Sequence, residues 1–320
     1  MLPFHKAVEK EFQQLNKMIV DELYSDVSLV ENIGNYIVEG GGKRLRPVSV
    51  LLVVKALESD AAESVKLATV IEFIHTATLL HDDVVDESDR RRGRDTANER
   101  WGNSPAVLVG DFLYSRAFQL MVQLGNPGIM SVLADTTNTI AEGEVQQLIN
   151  AGDPETTEQN YLEVVRKKTA VLFAAATECA AILSGATSAQ QTSLAAYGNH
   201  LGMAFQLQDD VLDYTGDSDA LGKNIGDDLA EGKATLPLIY TIANGSAEHS
   251  QLVRRSISEK DTSLIQQVVF AVQESGGLTY TKQKAEEEVE MAKAQLILLP
   301  DNSYTKTLRD LADFALGRSF

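Results

Sequence analysis

Two stretches of this sequence pair aspartates in the same uncommon way. Leu79-Leu80-His81-Asp82-Asp83-Val84-Val85-Asp86 and Phe205-Gln206-Leu207-Gln208-Asp209-Asp210-Val211-Leu212-Asp213 both read D-D-x-x-D. Each follows a helical pattern rich in apolar residues. Positions i and i+4 of a helix share a face, so Asp82 points the same way as Asp86, and Asp209 the same way as Asp213. Unpaired carboxylates one turn apart repel, and the arrangement is destabilising unless a cation compensates. A solvated acidic face is the plainer origin of such a cluster, but the apolar neighbours Val84, Val85, Val211 and Leu212 argue against it. Hard oxygen donors select Mg²⁺, which keeps several waters and takes one or two carboxylates together with substrate phosphate oxygens. Two such motifs facing each other would suit several Mg²⁺ ions gripping a diphosphate.

Cations that could complete an anion site lie nearby in sequence. Gly40-Gly41-Gly42-Lys43-Arg44-Leu45-Arg46-Pro47 sets three cations on a glycine turn leading into a helix, where backbone N–H groups add to the positive end. A phosphate-binding loop of the nucleotide type needs Ser or Thr after its lysine, and neither Lys43 nor Lys223 (in Gly222-Lys223-Asn224) has one. Arg90-Arg91-Arg92-Gly93 follows the first acidic motif, and these arginines could equally serve the negative end of its helix. Lys167-Lys168-Thr169 falls inside a later helical pattern, where surface charge is the alternative. His75 precedes Asp82 by two helical turns on a similar face, as a core histidine could also do.

The elements that must position these groups read as helices. Apolar spacing predicts them near 5–20, 26–38, 47–57, 60–89, 104–123, 129–150, 158–184, 187–215, 234–243, 248–257, 261–274, 276–298 and 303–317. Pro47 and Pro105 suit first-turn positions, where a missing N–H costs nothing. Glycine-rich breaks at 39–42, 125–128, 151–154 and 216–232 are too short for linkers, and no 20–50-residue repeat is present. The expectation is one all-α domain over 1–320.

Composition narrows the classes further. With 28 Lys+Arg against 46 Asp+Glu, the formal charge is −18, which disfavours nucleic acid and anionic lipid. An anionic substrate must then be drawn in by local cations or bound metal. The lone cysteine, Cys179, sits in an apolar stretch, cannot form an intrachain disulfide and suits a reducing compartment. The start of the chain lacks an apolar signal core, and no run of about 18 apolar residues occurs, so the cytoplasm is the expected location.

The chain resembles the trans-isoprenyl diphosphate synthases, and within them the bacterial long-chain, octaprenyl-type enzymes. The motifs that carry the resemblance are GGGKRLRP (40–47), EFIHTATLLHDDVVDESDRRRG (72–93), VLVGDFLYSRAFQ (107–119), AEGEVQQL (141–148), KT (168–169), FQLQDDVLDY (205–214) and LGKNIGDDLAEGKATLPL (221–238). The resemblance implies an isoprenoid-synthase helical bundle around a central cavity, a homodimer, and two to three Mg²⁺ ions. It implies that Lys43, Arg46, His75 and Arg92 bind isopentenyl diphosphate. Arg91, Lys168, Thr169 and Gln206 match contacts to an allylic diphosphate, with farnesyl diphosphate as the expected primer. Asp82, Asp86 and Asp209 match metal ligands; Asp83, Asp210, Asp213 and Lys168 join them as catalytic residues. Lys223 and Lys233 match lysines near the leaving diphosphate.

In the implied mechanism the allylic C–O bond ionises, the homoallylic double bond attacks, and the released diphosphate takes the proton. That accounts for the lack of a tuned general base. One turn before the first motif stand Ala77 and Thr78, where bulky aromatic side chains would stop growth early. Their small size implies a long product of around eight isoprene units, for a ubiquinone side chain, with Phe73 and Ile74 as candidate floor residues. A shorter-chain synthase, a terpene cyclase or a non-catalytic subunit would be the rivals. The aspartate-rich second motif and GGGKRLRP speak against a cyclase, and retention of both acidic motifs speaks against a non-catalytic subunit.

Overall fold

Helical apolar spacing and few prolines dictate helices, and the computed structural model, which describes residues 1–215 and 226–317, is helical apart from one short hairpin among those residues. In chain order the elements are α1 (Pro3–Ala7), α2 (Glu9–Asp21), α3 (Ser28–Glu39), α4 (Leu45–Ala56), α5 (Ser64–Val85), β1 (Arg90–Arg91), β2 (Arg94–Asp95), α6 (Ala97–Trp101), α7 (Asn103–Leu124) and α8 (Pro127–Asn150). There follow α9 (Glu158–Val165), a π-helical turn (Arg166–Ala170), α10 (Val171–Leu183), α11 (Ser188–Thr215), α12 (Asp227–Ala230), α13 (Leu236–Asn244), α14 (Ala247–Glu259), α15 (Ile265–Ser275), α16 (Gly277–Gln295) and α17 (Ser303–Leu316).

Three departures from the sequence expectation have local causes. The helix expected over 60–89 stops at Val85, because Glu87 turns left-handed (φ 51°) and the Ser88 N–H closes back on the Asp83 carbonyl at 2.9 Å. That six-to-one bond and the left-handed residue before it form a Schellman stop, here without glycine. Arg90–Arg92 therefore do not continue or cap this helix; Arg90 and Arg91 pair with Asp95 and Arg94 in a hairpin. Its two turn residues, Arg92 (φ 53°) and Gly93 (φ 73°), both have the positive φ that a tight two-residue hairpin requires. Finally, the helix expected over 158–184 runs through 158–183 but widens into a π turn at Arg166–Ala170.

The described chain forms two compact units. The first comprises 1–137, 172–198 and 293–311. Here α5 packs along α7, α4 and α2. Its side chains are apolar on every side, which suits a helix surrounded by others: Leu67, Val70, Ile71, Phe73, Ile74, Ala77 and Leu80 are all buried. Each large side chain so buried contributes about 1.5–3 kcal/mol. Later segments of this unit are fixed by hydrogen bonds. Thr177 Oγ1 donates to the Leu194 carbonyl (2.6 Å) and Tyr197 Oη to that of Leu308 (2.8 Å).

The second unit comprises 138–171, 199–292 and 312–320, described to residue 317. Its core is built from Tyr161, Val165, Leu207, Tyr214, Leu229, Leu236, Leu238, Val253, Ile257, Val268, Val272 and Ala285. Helix α13 packs on α14, α15 and α9. Gly143 of α8 faces the π turn; a Cβ there would lie 2.8 Å from Lys167 Cβ and 3.0 Å from the Lys168 nitrogen. Glycine is thus what lets α8 approach the widened turn.

Candidate active site

In the first unit the C-terminal turn of α5, the 40–44 turn and the β1–β2 hairpin supply the candidate residues. Asp82 and Asp86 lie one turn apart and are partly exposed, with the Asp86 N–H on the Asp82 carbonyl at 2.7 Å. Asp83, rotated by about 100° from Asp82, is 1% exposed. Its Oδ1 accepts from Arg91 Nε at 2.8 Å and lies 2.7 Å from Arg91 Nη2, while Oδ2 has no partner. Burial raises the Asp83 pKa, and Arg91 offsets part of that rise. Burial pulls the Arg91 guanidinium down, but Asp83, Asp82 and Asp86 together hold its pKa above the ordinary value.

The hairpin carries Arg92 onto the triglycine turn, where its guanidinium donates to the Gly41 carbonyl. A Cβ on Gly42 would stand 2.7 Å from Arg92 Nη1, so a larger residue would push the guanidinium aside. Gly41 (φ 76°) and Gly42 (φ 146°) also hold backbone shapes that other residues avoid. Arg44, left-handed at φ 48°, forms a buried ion pair with Glu72. Arg46 Nη1 donates to His75 Nε2 at 3.3 Å, which leaves the ring proton on Nδ1, and the same guanidinium lies 4.2 Å above the Phe173 ring. Burial, then Arg46, Arg92, Arg91 and Arg44, hold the His75 pKa well below its usual value. His75 is neutral beside a cluster of guanidinium groups, in a chain whose formal charge is −18. Such a patch favours an anion with several negative oxygens.

On the same helix Ala77 is fully buried and Thr78 half-buried, its hydroxyl donating to the His75 carbonyl at 2.8 Å. Phe73 and Ile74 are buried in the core.

In the second unit Lys168 and Thr169 sit on the π turn, a distortion frequent at functional sites. Lys168 Nζ lies 2.6 Å from Glu144 Oε2. Thr169 Oγ1 donates to Gln206 Oε1 (3.1 Å), and Gln206 Nε2 donates to Asp210 Oδ1 (3.0 Å). Tyr161 donates its hydroxyl to the other oxygen of Asp210. Burial first, then the charge of Asp228, raises the Asp210 pKa, with Tyr161 and Gln206 working against the rise. Asp209 is partly exposed, Asp213 is 8% exposed, and Lys233 pairs with Glu231. Lys223 lies outside the described residues.

A common logic runs through the two triads. The middle aspartate of each, Asp83 or Asp210, is buried and held by named donors, whereas Asp82, Asp86 and Asp209 keep access to solvent. Among the described residues no three His, Cys, Asp or Glu side chains gather into a ready-made metal cage. The donor set still fits Mg²⁺, which takes one or two carboxylates and fills its remaining positions with water and phosphate oxygens. Glu72, Glu144, Tyr161 and Phe173 were not singled out by the sequence, although each contacts a residue that was. Glu72 and Glu144 lay within quoted motifs; Tyr161 and Phe173 gave no signal of their own.

The polyprenyl synthetase family model matches residues 27–274. Octaprenyl diphosphate synthase of Haemophilus influenzae is 49% identical over 316 residues, covering 98% of this chain and 96% of the relative. All-trans-nonaprenyl-diphosphate synthase (geranyl-diphosphate specific) of Rhodobacter capsulatus is 48% identical, covering 97% of this chain and 96% of that protein. Among solved structures, a polyprenyl synthase from Caulobacter crescentus complexed with calcium and isoprenyl diphosphate superposes with a TM-score of 0.93 at 41% identity, covering 98% of this chain and 97% of that one.

Proposed function

The chain belongs to the polyprenyl synthetase family, and from that premise we propose that it extends an allylic diphosphate, farnesyl diphosphate, by successive head-to-tail addition of isopentenyl diphosphate to an all-trans octaprenyl product. It is a prenyltransferase of the long-chain trans type. The observation that carries the finer reading is the guanidinium cluster around neutral His75, close in the first unit to the solvent-accessible Asp82–Asp86 pair.

Lys43, Arg46 and Arg92 bind the diphosphate of isopentenyl diphosphate. His75, uncharged, fixes the Arg46 guanidinium through the 3.3 Å contact without competing for the anion. Arg91, Lys168, Thr169 and Gln206 orient the allylic diphosphate. Asp82 and Asp86 in the first unit, and Asp209 in the second, would hold Mg²⁺, which would supply positive charge for a departing diphosphate. The arginines and Lys168 add to that stabilisation as negative charge develops on the leaving group. Attack by the homoallylic double bond forms the new C–C bond, and the proton lost afterwards passes to the released diphosphate.

The small side chains of Ala77 and Thr78, on α5 ahead of Asp82, put no bulky group in the way of a growing tail, which supports the long product. The exposed apolar side chains Leu108 and Val122 on α7, and Val145, Leu148 and Ile149 on α8, support a homodimer. The uninterrupted family match over 27–274 supports one functional domain. Among the described residues no helix is long and apolar enough to cross a membrane, which is compatible with action in the cytoplasm. The product is assigned to a ubiquinone side chain.

The 48% identity to a nonaprenyl synthase makes nine units the specific second reading of product length. Radiolabelled isopentenyl diphosphate, farnesyl diphosphate and Mg²⁺, with products sized by reversed-phase chromatography, test both. Eight units are expected. Absence of extension would overturn the reading, as would products of four units or fewer.

A further inference from the structure

The triglycine turn of the first unit has little regular structure to hold it. Gly41, Gly42 and Arg44 have φ of 76°, 146° and 48°, so neither a helix nor a strand ladder fixes the backbone between α3 and α4. Its local ties run to the end of α3, from the Gly41 N–H to the Val38 carbonyl at 3.3 Å and from Arg44 Nη2 to the same oxygen at 3.4 Å, and the others come from elsewhere in the chain. Arg92 reaches the Gly41 carbonyl from the hairpin and Glu72 holds Arg44 from α5. A third tie comes from the far N-terminus: His5 Nε2 lies 2.9 Å from the Lys43 carbonyl oxygen, across 38 residues of sequence.

The chemistry of that contact is determined. A carbonyl only accepts, so Nε2 carries the ring proton and donates. The other ring nitrogen is then an acceptor, and the Leu2 N–H occupies it at 3.3 Å. The ring is also held by its faces and edges. It stacks on Phe12 with centroids 4.3 Å apart and 14° between planes, and meets Phe4 edge-on at 4.6 Å. At 7% exposure His5 has little remaining contact with water. A leucine would fill comparable space without the cost of desolvating two nitrogens. What the imidazole adds is a direct bond to the backbone of the residue whose side chain meets the diphosphate.

We propose that His5 is a positioning residue for isopentenyl diphosphate, holding the Lys43 backbone, and with it the 40–44 turn, in the shape that receives the diphosphate. This rests on the assignment of Lys43 to isopentenyl diphosphate made above. Donation from His5 also ties up the Lys43 carbonyl oxygen, whose partial negative charge would oppose a nearby phosphate. Helix α1, five residues long and too short to be stable alone, becomes a clamp on the anion turn: Phe4 anchors it in the core and His5 carries the contact.

Three variants of the full chain test this, each assayed with isopentenyl and farnesyl diphosphates and Mg²⁺. His5→Phe keeps an aromatic ring and removes the donor. Its KM for isopentenyl diphosphate should rise about fivefold to tenfold, the effect of one buried hydrogen bond. The KM for farnesyl diphosphate and kcat at saturation should stay within twofold of the parent. His5→Gln, whose amide nitrogen can occupy the place of Nε2, should recover most of the isopentenyl affinity. Phe12→Leu weakens the stacking and leaves the donor in place, so it should lower the melting temperature without raising the isopentenyl KM. The proposal is overturned if His5→Phe leaves that KM unchanged, if both KM values rise together, or if Phe12→Leu raises it as much as His5→Phe does. Should His5→Phe fail to fold, the contrast between His5→Gln and Phe12→Leu decides on the same terms. Elongation by the parent enzyme reports separately on the assigned function: a parent that extends normally beside an unaffected His5→Phe defeats the role of His5 alone.

Discussion

The Tyr161 hydroxyl donates to the buried carboxylate of Asp210, which also accepts from Gln206 Nε2 at 3.0 Å; Gln206 in turn accepts from Thr169 at 3.1 Å. One buried tyrosine therefore stands at the end of a chain that reaches two residues assigned to the allylic diphosphate. Tyr161→Phe leaves the carboxylate with one donor fewer in a dry setting. A stability loss of about 0.5–1.5 kcal/mol is expected, the net value of a typical hydrogen bond, because burial raises the Asp210 pKa and favours its neutral form. With Asp210 freed from that tie, Gln206 is positioned less firmly and should hold the allylic substrate less well, with the KM for farnesyl diphosphate rising and that for isopentenyl diphosphate unchanged. Urea unfolding and steady-state kinetics check the two halves separately.

Asp83 and Arg91 give the matching case in the first unit. The carboxylate is 1% exposed and takes both Arg91 contacts on one oxygen. Removing one partner of a fully buried pair costs about 3–5 kcal/mol; the cost here is smaller, because Arg91 keeps 30% exposure and the neighbouring Asp82 and Asp86. Asp83→Ala should still unfold more readily than Asp83→Asn, which can accept from the guanidinium. If Asp83 acted mainly as a metal ligand, Asn and Ala would abolish turnover alike and their stabilities would scarcely differ.

The pH dependence follows from His75. Burial and then the neighbouring arginines hold its pKa well below the usual imidazole value of about 6.5. The unfolded chain takes up a proton near pH 6.5 while the folded chain does not, so the folded state binds fewer protons. The neutral imidazole's contribution to stability is thus fully present above pH 6.5 and is lost as pH falls from there toward the depressed native value. Between pH 7.5 and 5.5 the parent should lose about 1 kcal/mol more than His75→Asn. His5, also lowered first by burial, acts with the same sign and remains in both proteins, so it cancels in the comparison. Chemical denaturation at the two pH values is the measurement; equal losses would remove His75 as the cause.

Product length should respond to the α5 face before Asp82. Ala77 is fully buried, so Ala77→Phe adds volume to a packed core and should cost about 1–3 kcal/mol as well as shorten the product. Thr78 is half-buried, and Thr78→Phe should shorten the product at smaller cost to stability. Chromatography of the extension products, together with melting curves, distinguishes a blocked tail from a damaged enzyme. Eight-unit products from both variants would remove this face from length control.

Much of this was legible in the residues themselves, for definable reasons. The 3.6-residue spacing announced the long helices, and α5 was recognisable because its apolar run ends in Asp82-Asp83-Val84-Val85-Asp86. The Schellman stop at Glu87 was not, since it rests on a left-handed non-glycine residue that no spacing marks. The hairpin was hidden because Arg92, not an Asn-Gly pair, opens its turn. The division of labour inside each triad was also invisible: the pattern D-D-x-x-D treats its aspartates alike, and only packing shows that Asp83 and Asp210 are buried. Contacts such as Arg46 over Phe173, or Tyr161 on Asp210, join residues far apart in the chain and have no local signature.

The exposed pair Asp82 and Asp86 carries the last prediction, in which stability and activity move in opposite directions. Two like charges at i and i+4 destabilise a helix by about 0.2–0.5 kcal/mol, and Arg91, whose pKa both carboxylates help to hold up, offsets part of that repulsion. Neutralising one as Asp86→Asn should therefore raise the metal-free melting temperature slightly, while elongation falls by at least a hundredfold. Mg²⁺ with inorganic diphosphate should stabilise the parent, because a ligand that binds only the folded state adds RT ln(1 + [L]/Kd). The same mixture should stabilise Asp86→Asn much less, and chelation with EDTA should erase the difference between the two proteins. A melting temperature that falls on Asp86→Asn, with equal stabilisation of both by Mg²⁺ and diphosphate, would show that Asp86 serves the fold and not the metal.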